Sequence, residues 1–96
     1  MTLYADIEKI LLAHKEFLRS RFHVTSIGVF GSYAQGEQTE KSDIDILVEL
    51  SEPIGWEYVD LKEYLEQIPG KPIDLVTRNA LKRQLKDSIL EEVRMV

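Results

Sequence analysis

The chain contains no cysteine. Disulfides, thiolate metal sites and cysteine nucleophiles are therefore excluded together, and a reducing compartment suits it. No apolar run approaches the roughly 20 residues that span a bilayer, and the start lacks the basic-then-apolar layout of a signal peptide. A cytoplasmic protein with no membrane partner is expected. Proline and glycine are scarce, at three and five residues, so a disordered or fibrous chain is excluded as well. Basic residues are outnumbered, 12 Lys+Arg against 17 Asp+Glu, for a net charge of −5. Bulk electrostatic attraction to a polyanion is disfavoured, and direct nucleic-acid binding is not expected. Length is short too: 96 residues make a single domain, 1–96, with no room for a separate substrate domain.

What is present is unevenly arranged. Residues 37–74 carry three basic and eleven acidic side chains, whereas the segments on either side are slightly basic. Apolar residues Leu3, Ile7, Ile10, Leu11, Phe17 and Leu18 recur at helical steps between Thr2, a candidate N-cap, and Arg21. Val24 to Phe30 reads as a buried strand that ends at Gly31, where the chain must bend. The segment from Tyr33 to Lys41 has room for one or two helical turns. Asp43 to Leu50 alternates as a strand, with Ile44, Ile46 and Val48 on one face and the aspartates on the other. Trp56 to Ile68 reads as a helix stopped by Pro69-Gly70, and Pro72 to Val76 as a short strand. Asn79 is placed to cap a last helix carrying Leu81, Leu85, Ile89 and Val93. The resulting order, αβ(α)βαβα, predicts an α/β (α+β) fold with a small mixed sheet and helices packed against it.

Asp43 and Asp45, two apart on a strand, send their carboxylates from one face with Cα atoms roughly 6.5–7 Å apart. Such a pair suits a hard cation such as Mg²⁺, which uses one or two carboxylates and leaves positions for water and substrate phosphate. The same D-x-D alternation is also what any one-sided strand presents to water. An EF-hand is excluded, because Leu47 and Val48 stand where a ligand and a glycine belong. Gly31-Ser32 after a buried strand allows close backbone approach to an anion and adds a hydroxyl donor, or forms a plain turn. Neither G-x-x-x-x-G-K-[ST] nor G-x-G-x-x-G occurs. His14 and His23 have no evident carboxylate partner along the sequence and read as surface residues. Tyr4, Trp56, Tyr58 and Tyr64 read as core or edge packing. Tyr33, inside the loop, is placed either to touch a ligand or to pack on its neighbours.

The combination carries more than its parts. Gly31-Ser32-Tyr33-Ala34-Gln35-Gly36, followed by Ser42-Asp43-Ile44-Asp45-Ile46-Leu47-Val48 and by Pro72-Ile73-Asp74-Leu75-Val76, resembles the DNA-polymerase-β-like nucleotidyltransferase superfamily. Within it the chain is similar to the minimal nucleotidyltransferase (MNT) family, the antitoxin half of HEPN/MNT (HepT–MntA) pairs, classed as type VII toxin–antitoxin systems. The likeness runs through essentially the whole chain. It departs at Gln35, where many relatives carry a basic residue. The resemblance implies that Asp43, Asp45 and Asp74 are the catalytic and metal-binding residues, holding two Mg²⁺ ions, with Mn²⁺ as the alternative. It implies that Gly31 and Ser32 hold the β- and γ-phosphates of ATP. It further implies transfer of AMP to a tyrosine of a cognate HEPN-domain RNase toxin, which the chain would neutralise within a hetero-oligomer. Two charged faces could dock such a partner: Lys82, Arg83 and Lys86 on the last helix, and Glu57, Asp60 and Glu63 on the middle one. Rival readings are a non-catalytic antitoxin acting by complex formation, and a small-molecule nucleotidyltransferase; the latter is disfavoured by chain length.

Overall fold

The computed structural model describes residues 2–81 and 83–96. A 19-residue helix, α1 (Tyr4–Phe22), opens the chain. Its apolar stripe puts Ile7, Leu11, Leu18 and Phe22 in the core. The expected cap at Thr2 is not used. Leu3 is the N-cap, and its N–H donates to the Asp6 carboxylate at 2.9 Å, an acid in the first turn where the helix dipole favours one. At the other end His23 adopts a left-handed conformation (φ 62°), and its N–H closes the last turn onto Arg19.

That turn feeds β1 (Val24–Phe30), which is followed directly by the short helix α2 (Gly31–Gln35). Gly36, left-handed at φ 72°, ends α2 after little more than one turn, so the short helix lies earlier than the Tyr33–Lys41 segment in which it is expected. Next come β2 (Ile44–Leu50), α3 (Glu57–Gln67) and β3 (Ile73–Thr77). β2 begins one residue later than its alternation suggests, so Asp43 stands at the strand's mouth. β1 and β2 are antiparallel, while β2 and β3 run parallel with α3 as the crossover.

The C-terminal region departs most from expectation. Asn79 lies inside a 3₁₀ turn, Arg78–Ala80, and Leu81 is extended, so Asn79 does not cap the last helix. That helix, α4, spans Arg83–Glu92. It is followed by an unexpected strand, β4 (Arg94–Met95), which pairs antiparallel with β1 and completes a four-stranded sheet ordered β3-β2-β1-β4. Gly28 makes this possible: a Cβ there would fall 2.7 Å from Met95 Sδ and 2.8 Å from Val93 Cγ2. A two-residue strand has no alternating pattern long enough to read from sequence.

One face of the sheet is apolar. Ile27 and Val29, Ile44, Ile46 and Val48, and Ile73 and Leu75 pack with the stripe of α1 and with Leu61 and Leu65 of α3. Truncating one of these side chains, Ile46→Ala for instance, costs about 2–5 kcal/mol. Tyr33 joins this core at 1% exposure, so of its two readings the packing one is correct. Trp56 goes the other way. It precedes α3 and is 90% exposed, contrary to the packing expected of it. Tyr58 does pack at the core margin, and its hydroxyl donates to the Leu75 carbonyl at 2.6 Å, fixing α3 to β3. Among the described residues no helix is long and apolar enough to cross a membrane.

Candidate active site

Strand register builds the site. Side chains directly across from one another point to the same face, so a residue opposite the core-facing set belongs to the other side of the sheet. Phe30 of β1 partners Asp45 of β2, and Asp45 partners Asp74 of β3. These three form one row on the face away from Ile44 and Ile46. Asp45 is half-buried in the middle of the row, between Phe30 and the exposed Asp74; Asp43, also exposed, lies two residues before Asp45 at the mouth of β2.

Gly31 closes the row from above. Its φ is +71°, and a Cβ would lie 2.1 Å from Asp45 Oδ2. Both facts require glycine: the left-handed backbone is strained for any other residue, and the carboxylate fills the space. The turn that ends β1 thus presses its backbone onto the central aspartate. Ser32 follows, half-buried, at the start of α2.

The electrostatics are unfavourable without a counter-charge. Burial pushes the Asp45 carboxyl up to about 6, and the charges of Asp74, Asp43 and Glu92 add to the rise. Adjacent carboxylates that cannot all ionise comfortably are what a divalent cation relieves, so the donor set fits a hard metal ion. Among the described residues, no three acidic or histidine side chains are already closed around a common point. Asp45 and Asp74 are register partners on neighbouring strands, and the charge of Asp43 acts on Asp45 as well.

One participant was missed by sequence reasoning. Glu92, the last residue of α4, accepts the Gly31 N–H at 3.1 Å through Oε1 and the Gln35 amide Nε2–H at 2.7 Å through Oε2. It lies outside every motif, and only its distance in sequence from Gly31 hid it. The two histidines are also better partnered than their sequence context suggests. His23 Nε2 lies 3.0 Å from Glu52 Oε1, which corrects the expectation of no carboxylate partner, and His14 Nδ1 meets the Tyr64 hydroxyl. Both are remote from the aspartate row in the fold. Of the suggested docking faces, Glu57, Asp60 and Glu63 are exposed on α3, although Glu57 folds back to accept the Gly55 N–H at 2.9 Å. Lys86 is exposed on α4, while Lys82 lies outside the described residues.

A glycine turn pressed on a D-x-D strand, with a third aspartate in register on the next strand, is the arrangement the motifs imply. Residues 11–96 match the nucleotidyltransferase domain family, and the chain belongs to that family. A protein adenylyltransferase MntA from Thermococcus cleftensis is 48% identical over 94 residues, covering 97% of this chain and 95% of that protein. Among solved structures, a toxin–antitoxin crystal structure with AMP-PNP superposes with a TM-score of 0.75 at 26% identity, covering 92% of this chain and 70% of that one. The fold is shared as well by a complex of the tri-AMPylated Shewanella oneidensis HEPN toxin with MNT antitoxin, at a TM-score of 0.67 and 20% identity, over 93% of this chain and 70% of that one. The family resemblance drawn from the motifs therefore holds, as does the expectation of a small mixed sheet covered by helices.

Proposed function

We propose that this chain is the antitoxin of a toxin–antitoxin pair and works as a Mg²⁺-dependent protein adenylyltransferase, moving AMP from ATP to a tyrosine of a cognate HEPN-domain toxin. The observation that carries this reading is the Asp45–Asp74 register pair beneath Gly31, a half-buried carboxylate with acidic neighbours that a cation beside it would relieve. The near-full-length likeness to an adenylyltransferase and the structural likeness to a nucleotide-bound toxin–antitoxin support the same conclusion.

In this mechanism the Gly31 N–H and the Ser32 hydroxyl hold the β- and γ-phosphates, which become the leaving group. Asp43, Asp45 and Asp74 hold Mg²⁺, which supplies charge stabilisation to the phosphoryl oxygens when bound. The tyrosine oxygen attacks the α-phosphorus, forming an O–P bond. The bond from that phosphorus to the oxygen bridging to the β-phosphate breaks, and pyrophosphate departs. Asp74, exposed at the edge of the row, takes the tyrosine proton. The partner protein presents the tyrosine to this exposed row from outside.

The test is to incubate the folded chain with ATP, Mg²⁺ and the cognate HEPN protein and to weigh the partner. A gain of one or more AMP units on a tyrosine, abolished by Asp43→Asn or Asp45→Asn, is expected. An unmodified partner sinks the reading. Neutralisation that persists without ATP and in Asp43→Asn would identify inhibition by complex formation instead.

A further inference from the structure

Glu92 occupies two donors that belong to the nucleotide-binding segment. One of its oxygens takes the Gly31 N–H at 3.1 Å and the other takes the Gln35 side-chain amide at 2.7 Å. A carboxylate oxygen and a phosphate oxygen are alike as acceptors, since both are anionic and take N–H donors at the same distances. The Gly31 N–H cannot serve both at full strength. Glu92 also places a further negative charge near Asp45.

The backbone around Glu92 is pinned. The Val93 N–H bonds the Ile89 carbonyl at 2.9 Å, Arg94 and Met95 pair with Val29 and Gly28, and the Val96 N–H reaches the Ile27 carbonyl at 2.9 Å. The Arg94 guanidinium additionally sits 3.9 Å over the Tyr4 ring. Glu92 can therefore leave Gly31 by rotating its side chain, without undoing β4.

We infer that Glu92 is an internal competitor for the nucleotide: in the free protein it holds Gly31 and Gln35, and a nucleoside triphosphate binds by displacing it with its terminal phosphates. Glu92 is then a positioning residue that sets nucleotide affinity. This inference rests on the reading of the site as a triphosphate site. It explains why a neutral Gln35 is serviceable here: an amide gives Glu92 a hydrogen bond without the charge attraction that would make it hard to dislodge.

Calorimetric titration of the full chain with AMP-PNP and Mg²⁺ tests it, using wild type, Glu92→Ala and the near-isosteric Glu92→Gln. Both variants are expected to bind about tenfold tighter, the scale of one charge-assisted hydrogen bond no longer in competition. Inorganic tripolyphosphate should gain by a similar factor, and adenosine should gain nothing. A residue that only braced α2 would give the opposite sign, with the triphosphate binding more weakly once the brace is lost. Wild-type binding with equal or weaker binding by both variants overturns the role of Glu92 alone. Failure of all three proteins to bind AMP-PNP overturns the nucleotide reading and this inference together.

Discussion

Asp45 and Asp74 are register partners on neighbouring parallel strands, and burial, with the charge of Asp74 beside it, pushes the Asp45 carboxyl up to about 6. An unfolded aspartate titrates near 4, whereas folded Asp45 titrates at about 6. Between those values the folded state binds more protons than the unfolded one, so this group makes stability fall as pH rises through the window. Above about pH 6 the penalty is complete. The aspartate row is thus a source of instability in the metal-free protein.

Asp45→Asn removes that penalty. In chelator-treated protein the variant should match wild type near pH 4 and exceed it by about 1 kcal/mol at pH 7, once solvent screening is allowed for. Urea unfolding at the two pH values measures the difference. A variant less stable than wild type at pH 7 would contradict the electrostatic account.

Divalent cation should do for the wild type what the amide does for the variant. At a Mg²⁺ concentration 100 times the dissociation constant, binding to the folded state alone adds about 2.7 kcal/mol. Thermal unfolding at pH 7 with and without Mg²⁺ should show a clear rise for wild type and a much smaller one for Asp45→Asn. Equal responses from the two proteins would place the ion elsewhere.

Gly31→Ala combines two faults. The left-handed backbone at φ +71° costs about 1 kcal/mol for a residue with a side chain, and the added methyl collides with Asp45 Oδ2. The expected loss is about 2–3 kcal/mol in denaturant unfolding, with transfer activity lost as Asp45 is pushed aside. Gly36→Ala is the informative control: it shares the positive φ of 72° but meets nothing within 4 Å, so it should cost only the backbone share.

Trp56, the single tryptophan, stands 90% exposed. Its fluorescence emission should hardly shift on unfolding, because the indole is in water in both states. Trp56→Ser should change stability by no more than about 0.5 kcal/mol. A large loss in either measurement would mean that the ring is packed after all.

The legible parts of this fold are those in which a period and a boundary agree. The stripe Ile7, Leu11, Leu18, Phe22 has the helical period, and the alternation from Asp43 to Val48 has the strand period. Each is bounded by a turn, and each lies where expected within a residue or two. Asp43, Asp45 and Asp74 could be picked out because their motifs are local and densely spaced. What could not be read depends on contacts distant along the chain. Trp56 resembles its buried neighbours in hydrophobicity, yet it sits before the helix begins and so escapes the face that packs. Asn79 is a good cap residue without a helix to cap, since the chain first makes a 3₁₀ turn and then runs extended at Leu81. β4 exists because Gly28 leaves room for it, which no pattern in residues 93–96 records. Glu92 joins the site through bonds spanning 61 and 57 positions.

Those spans also set an order of assembly on the ribosome. The chain emerges N-terminus first, so α1, β1 and β2 are available to each other well before β3 arrives with Asp74, and the clasp of Glu92 on Gly31 forms later still, once α4 is made. A nascent chain can hide its apolar face early while the chemistry stays incomplete. Competence therefore waits for β3, and a product lacking residues from Ile73 onward would carry the glycine turn and the D-x-D pair but no third aspartate.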